Sequence, residues 1–134
     1  MTYAPTVALL AETAFAVGAG SFWHGKKTSE DINYNEPFPQ VYLFLMPAPI
    51  VGEYVAYQVV MCFYGKDEHE NGGDDSIQIQ DSMDLLSQEF FAELREAVGV
   101  EVSNRLDRAP VLRQGAALGT GFLCSFTLTA KAVC

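Results

Sequence analysis

Residues 40–64, QVYLFLMPAPIVGEYVAYQVVMCFY, contain two apolar runs separated by a proline-containing connection. The runs 40–46 and 53–64 are rich in Val, Tyr and Phe, which favour β-strands. Pro47 and Pro49 lie between them and interrupt the strand pattern. Both runs are apolar on both pleat faces, which is typical of strands in the middle of a covered sheet. We therefore predict a central strand pair, covered by helices or by a neighbouring subunit.

Two helices are predicted, one on each side of this strand pair in the chain. The first covers residues 5–17 and is followed by the stop signals Gly18 and Gly20. Its apolar stripe consists of Val7, Leu10, Ala14 and Val17. The second lies in SIQIQDSMDLLSQEFFAELREAVG, residues 76–99, and has acidic residues opposite its apolar stripe. That stripe consists of Ile79, Met83, Leu86, Phe90 and Leu94, and we expect it to pack on the sheet.

The remaining strands are expected at residues 22–24, 100–104 and 119–131. The last of these, which contains TGFLCSFTLTAK, alternates apolar and polar residues, as a half-covered antiparallel strand does. Its apolar face consists of Phe122, Cys124, Phe126, Leu128 and Ala130. Residues 31–39 and 105–118 are predicted to be long loops, although the second segment could instead extend the final hairpin.

These elements predict one α+β domain over residues 1–134. It has a mostly antiparallel sheet of four to five strands, an N-terminal helix and one long amphipathic helix packed on the sheet. The chain of 134 residues is long enough to bury a core without disulfides or metals.

Composition limits the functions that this chain can have. The net charge is −9 with only eight Lys and Arg residues, which disfavours nonspecific binding to nucleic acid or to an anionic membrane. No run approaches the ~18 apolar residues of a membrane-spanning helix. The N-terminal segment has no basic residue before Lys26 and contains Glu12, so we do not expect a signal peptide. The three cysteines are far apart without a CxxC pair, which favours a reducing compartment.

The segment CFYGKDEHENGGDDS, residues 62–76, is an acidic loop before the long helix. Asp75 and Gln78 have the spacing of a capping box, which gives the loop a structural role. Counted from Asp67, the twelfth position holds Gln78 where a calcium loop needs a bidentate glutamate. Zinc would need further nitrogen or sulfur donors near His69. We predict a solvated loop without a metal.

No catalytic motif is present in the sequence. There is no GxSxG, HExxH or phosphate-binding glycine loop, and His24 and His69 stand alone. Cys124 lies on an apolar strand face, where an inert buried thiol is expected. Trp23 beside His24 could line a ligand pocket, but a single Trp is more often a core or interface anchor. We predict no catalytic residue and no cofactor.

Charge is unevenly distributed along the chain. Residues 67–101 contain eleven acidic residues and one basic residue, Arg95, whereas the following segment is basic. Two unlike patches allow a chain to bind its copies head to tail, and such contacts can close into rings. We hypothesise a subunit interface formed by Asp67, Glu68, Glu70, Arg105, Arg108 and Arg113. The alternative is that these arginines are solvated loop residues.

Three stretches of the sequence resemble small structural proteins of tailed bacteriophages and prophages. They are INYNEPFPQVYLFLMPAP (32–49), YQVVMCFYGKDEHENGGDDSIQIQDSMDLLSQEFFAELRE (57–96) and LGTGFLCSFTLTAKAVC (118–134). The order of elements is similar to that of the tail-terminator and neck-ring proteins. Those proteins share an α+β fold and assemble as rings, usually hexamers, at the head-proximal end of the tail tube.

The resemblance implies a ring-forming tail terminator that caps the tail tube and joins it to the head connector. It implies a location in the virion tail or neck after synthesis in the bacterial host cytoplasm. DNA would pass near the ring without specific binding. One alternative is another head–tail joining protein. Another is a small enzyme or ligand-binding domain with a pocket near Trp23 and His24.

Overall fold

The computed structural model describes residues 1–24, 37–66, 73–114 and 119–132. Within these residues the chain forms two helices and a six-stranded, mostly antiparallel sheet, so the predicted α+β fold is confirmed. None of the described helices is both long and apolar enough to cross a membrane. The elements in chain order are α1 (Tyr3–Ala16), β1 (Ser21–His24), β2 (Gln40–Pro47), β3 (Tyr54–Lys66), α2 (Gly73–Arg95), β4 (Val100–Val102), β5 (Asp107–Gln114) and β6 (Gly119–Lys131).

The sheet has the strand order β1-β2-β3-β6-β4, and β5 also pairs with β6. The β1–β2 pair is parallel and all other pairs are antiparallel. β3 and β6 pair along their full length, from Tyr54 opposite Lys131 to Lys66 opposite Gly119. β4 and β5 share the other edge of β6, because β4 pairs only with Leu128–Ala130 and leaves the rest of that edge to β5.

β5 corrects the prediction of a long loop at 105–118. Residues Asp107–Gln114 form a strand on β6, so the alternative of an extended hairpin is the right one, and the sheet has one strand more than predicted. Pro110 lies in this strand, which is possible because β5 is an edge strand and one of its edges needs no donor. Residues 115–118 and 31–36 of the predicted loops lie outside the described residues.

The apolar stripe of α2 packs on the sheet as predicted. Met83, Leu86, Phe90 and Leu94 are buried, and the Phe90 ring centre lies 5.5 Å from that of Phe63 on β3. The helix begins at Gly73, so Asp75 lies in its first turn and the predicted capping box is wrong. Acidic residues in a first turn still interact favourably with the helix dipole.

The buried side of α1 differs from its predicted stripe. Leu10 and Ala14 are buried, but Thr6 and Thr13 are buried with them, whereas Val7 and Val17 are only partly buried. The two threonine hydroxyls donate hydrogen bonds to the carbonyls of Thr2 and Leu9, both at 2.7 Å. Because these bonds satisfy the hydroxyls within the helix, the polar residues can face the core.

Candidate functional site

Both helices pack on one face of the sheet, and a second buried cluster lies on its other face. The core that contains residues of both helices also contains Val41, Leu43 and Met61 of the sheet. On the opposite face the buried cluster is formed by strand residues alone, namely Tyr42 and Tyr64 packed against Trp23, Cys62 and Val111. Within the described residues, therefore, no helix contributes to the core on this second face, although β2 and β3 are apolar there as predicted.

Trp23 packs on the cluster of this second face. Its ring is stacked on Tyr42 with centres 5.0 Å apart, and Tyr42 meets Tyr64 edge-on at 5.7 Å. The Tyr42 hydroxyl donates a 3.0 Å hydrogen bond to the buried Gln40 side chain. Burial raises the pKa of Tyr64 and of Cys62, so both groups are protonated at neutral pH. This cluster is a satisfied packing unit.

His24 lies on the opposite face of β1 from Trp23. Its Nε2 atom is 2.8 Å from the hydroxyl of Tyr3 on α1. That hydroxyl donates to the Leu45 carbonyl at 2.9 Å, so we assign Nε2 as the donor to the Tyr3 oxygen. Because adjacent strand residues point to opposite faces, Trp23 and His24 do not line a common pocket. Residues 67–72 of the acidic loop lie outside the described residues, so the predicted absence of a metal there stays a prediction.

The thiol of Cys124 lies in the core as predicted. The residue is fully buried on the helix-covered face of β6. Burial raises its pKa to about 11, so the thiol is protonated and unreactive at neutral pH. Among the described residues, no group of three or more His, Cys, Asp or Glu side chains is arranged to hold a metal.

The three arginines of the hypothesised interface have different environments. Arg105 is exposed, and its Nε atom donates to Asp107 at 3.0 Å. Arg108 lies on β5, where it forms an ion pair with Asp84 of α2 and its guanidinium carbon is 5.5 Å from the centre of the Phe122 ring. Arg113 also lies within β5. The prediction that these arginines lie between strands is therefore wrong for the last two.

The Arg108–Asp84 pair links β5 to α2 within one chain. Hydrogen bonding from Gln88, at 3.0 Å, and from Arg108 lowers the pKa of the Asp84 carboxyl. Thus some of the opposite charges that the sequence places in separate segments are paired within one chain. The acidic partners of the hypothesis, Asp67, Glu68 and Glu70, lie outside the described residues.

Reversing the charge of Arg108 is expected to destabilise the fold. In Arg108→Glu a carboxylate replaces the ionic partner of Asp84, and the contact with Phe122 is lost. We therefore expect the free energy of unfolding to fall by about 1 kcal/mol. Arg105→Glu is the matched control, because the Arg105 side chain is 87% exposed, and it should cost less than about 0.5 kcal/mol. Urea unfolding followed by circular dichroism measures both.

The pH dependence of stability tests whether the ion pair with Asp84 causes the difference between the two variants. The pKa of Asp84 is lower in the folded protein than in the unfolded chain. The ion pair therefore stabilises the fold at pH values above the ordinary aspartate pKa. This stabilisation is lost as the pH falls through the pKa of Asp84 in the folded protein. The gap between the wild type and Arg108→Glu should therefore shrink in acid. A gap that is unchanged, or equal losses for the two variants at neutral pH, would contradict the ion pair.

The end of the β2–β3 hairpin is an exposed apolar surface, here called the hairpin tip (residues 46–54). Its exposed fractions are 46% for Met46, 66% for Ile50, 75% for Val51 and 58% for Tyr54. Val51 and Tyr54 exchange backbone hydrogen bonds of 3.0 and 3.1 Å, and Gly52 takes the positive φ of 60° that the turn requires. The tip is therefore an ordered turn that exposes aliphatic and aromatic side chains.

Three shallow depressions lie on the described surface, and Trp23 and His24 line none of these three. One, here called the basic depression, has a volume of about 360 Å³ and lies between α2 and β5. It is lined by Gln88, Phe91, Ala92, Arg95, Leu106 and Arg108. The second, about 370 Å³, lies between α1 and α2, and its lining includes Glu12, Glu93 and Glu96. The third, about 280 Å³, lies beside β4.

No protein-family model matches this sequence, and a comparison with curated proteins finds no match. The function of the chain is therefore inferred from its residues and their placement. The sequence offered the proline-rich connection only as a second choice for the subunit contact, behind the charged residues, and it gave no sign of the basic depression. The signal for the tip was present, because Ile50 and Val51 are apolar residues inside a connection rich in proline and glycine. The depression had no local signal, since it forms only where α2 and β5 meet.

Proposed function

We propose that this protein is a ring-forming structural protein of a phage or prophage tail, a terminator that caps the tail tube and joins it to the head connector. The observation that carries the proposal is the exposed apolar hairpin tip. Large contiguous apolar patches are uncommon on soluble monomers, and where they occur they often mark sites of protein association. The tip is held in one conformation, so little conformational entropy is lost when it is buried against a partner.

Self-association through two unlike surfaces supports a ring in particular. The hairpin tip contains a single charged residue, Glu53, whereas the surface between α2 and β5 carries the basic side chains of Arg95 and Arg108. A contact between different surfaces of two copies is head to tail, and repetition closes a ring when the rotation allows. The expectation of six subunits comes from the resemblance to tail-terminator and neck-ring proteins.

In this role, one face of the ring covers the last ring of the tail tube and blocks further addition of tube subunits. The other face provides the docking surface for the head connector. The net charge of −9 suits a ring through which DNA passes, because few basic groups are available to hold the phosphates. The ligand-binding alternative has less support, since Trp23 and His24 lie on opposite faces of β1.

Deleting the gene from the strain that carries the phage tests the capping role. After induction, electron microscopy should show tubes that are longer than normal, variable in length and not joined to heads. Supplying the chain from a plasmid should restore normal length. Tails of normal length joined to heads would contradict the proposal. Tails of normal length that remain unjoined would contradict capping and favour another head–tail joining protein.

A further inference from the structure

We propose that the hairpin tip of one copy inserts into the basic depression of the next copy. The inference rests on the proposed function, because it names the contact that would close the ring. It commits to one occupant of the depression, a second copy of this chain. Two features carry it: the match of apolar surfaces and the match of one carboxylate with one guanidinium.

The inserting element is apolar and ordered. Ile50 and Val51 are 66% and 75% exposed, so most of their apolar surface faces water in the isolated chain. The turn is held by the reciprocal Val51–Tyr54 hydrogen bonds and by a 2.7 Å bond from the Ala132 amide to the Glu53 carbonyl. Because the element is held in this conformation, its insertion into a partner needs no refolding.

The receiving depression, of about 360 Å³, has both apolar and basic lining residues. Ala92 is exposed and Leu106 half-buried, so these two supply most of its apolar surface, whereas Phe91 is only 3% exposed. Arg95 and Arg108 supply its basic groups. An apolar segment that carries one carboxylate fits this lining better than a nucleic acid or a cationic peptide does.

Charge complementarity selects Arg95 as the partner of Glu53. The Arg108 guanidinium is already paired with Asp84 of its own chain. Within the described part of the chain, neither Arg95 nor Glu53 forms an ion pair. Arg95 is also the single basic residue between positions 67 and 101, so it is the one basic side chain that α2 contributes to the depression.

The contact must join different copies of the chain. The tip joins β2 to β3, and β3 is fixed by pairing with β2 on one edge and β6 on the other. The depression lies beyond β6, where β5 and α2 meet. Since the tip cannot reach the depression without breaking this pairing, insertion is head to tail between neighbours.

Charge exchange tests the pairing by light scattering and sedimentation. Glu53→Arg and Arg95→Glu should each weaken assembly at least tenfold, because each places like charges in every contact. The double variant should assemble again. An equimolar mixture of the two single variants should also assemble, because alternating copies restore opposite charges in each contact. Val51→Ser should weaken assembly without a change of charge.

Glu12→Arg is the control, because it makes the same charge change on the exposed surface of α1, away from both surfaces. Circular dichroism should show every variant folded, since the substituted side chains are exposed. Restoration in the double variant and in the mixture supports the proposal. If the single variants assemble like the wild type, the proposed contact is wrong although the ring stands. The contact is also wrong if the double variant stays dissociated. A wild type that is monomeric overturns both the ring and this contact.

Discussion

Phe90→Ala is expected to lower the free energy of unfolding by about 3–5 kcal/mol, because it removes a large, fully buried side chain from the centre of the core. The Phe90 ring contacts Phe63 of β3 and Phe91 of its own helix, with ring centres 5.5 and 5.4 Å apart. The cavity would lie between α2 and the sheet, where close packing limits relaxation. Chemical denaturation followed by circular dichroism measures the loss.

Leu85→Ala is the matched control for this substitution. Leu85 lies on the same helix but is 58% exposed, so its truncation should cost less than about 1 kcal/mol. A loss below 1 kcal/mol for Phe90→Ala, or losses of similar size for the two variants, would mean that α2 does not pack on the sheet in this way.

Gly121→Ala is the other substitution with a large expected effect. Gly121 lies in β6 between Tyr64 of β3 and Val111 of β5. A Cβ atom at this position would overlap the backbone carbonyl oxygen of Phe63, which cannot move without displacing β3. We expect the free energy of unfolding to fall by about 3 kcal/mol or more, which is at the upper end of the range for substitutions that overpack a core. The midpoint of urea unfolding measures it.

Gly65→Ala provides the comparison, because Gly65 lies on the adjacent strand β3 and is also buried. A Cβ atom there would come within 2.6 Å of the Ile79 side chain, and the end of a side chain can shift where a backbone cannot. Gly65→Ala should therefore lower the free energy of unfolding by less than Gly121→Ala does. A larger loss for Gly65→Ala would contradict the close approach of β3 and β6 at Gly121.

Strong periodicity made parts of the fold predictable from the sequence. The alternation in TGFLCSFTLTAK, which only Leu123 interrupts, predicted β6 with both ends at the observed residues, 119 and 131. The α2 stripe was equally clear, because one face of the helix is apolar and the other acidic. Each pattern reflects the burial of one face of one element, which a sequence records directly.

Other parts depended on tertiary contacts that have no local signal. β5 contains Pro110 and two arginines, which predict a loop, yet it forms because β4 leaves most of one edge of β6 free for pairing. Thr6 and Thr13 can be buried because their hydroxyls donate hydrogen bonds to the helix backbone. A pattern of apolar residues does not show such bonds, so the buried side of α1 was predicted incorrectly. Arg108 was assigned to a subunit interface because its ion pair with Asp84 exists only once β5 lies beside α2.

The candidate site was predicted less well than the fold, for the same reason. The interface hypothesis was built on charge runs, which do not show that Arg108 is paired with Asp84 of its own chain, nor that Arg95 forms no ion pair within the described residues. The proline-rich connection ranked behind the charged residues as a subunit contact, because only the structure shows how much of Ile50 and Val51 is exposed. Exposure and pairing are properties of the folded chain.

The mass of the purified wild-type protein in solution tests the ring most directly. Light scattering during gel filtration, repeated over a wide range of concentrations, should give one constant mass several times that of the 14.7 kDa chain, and six times if the ring is a hexamer. A closed ring has no open ends, so its mass should not grow with concentration. A mass of one chain at every concentration would contradict the ring, and a mass that rises continuously would show an open filament instead.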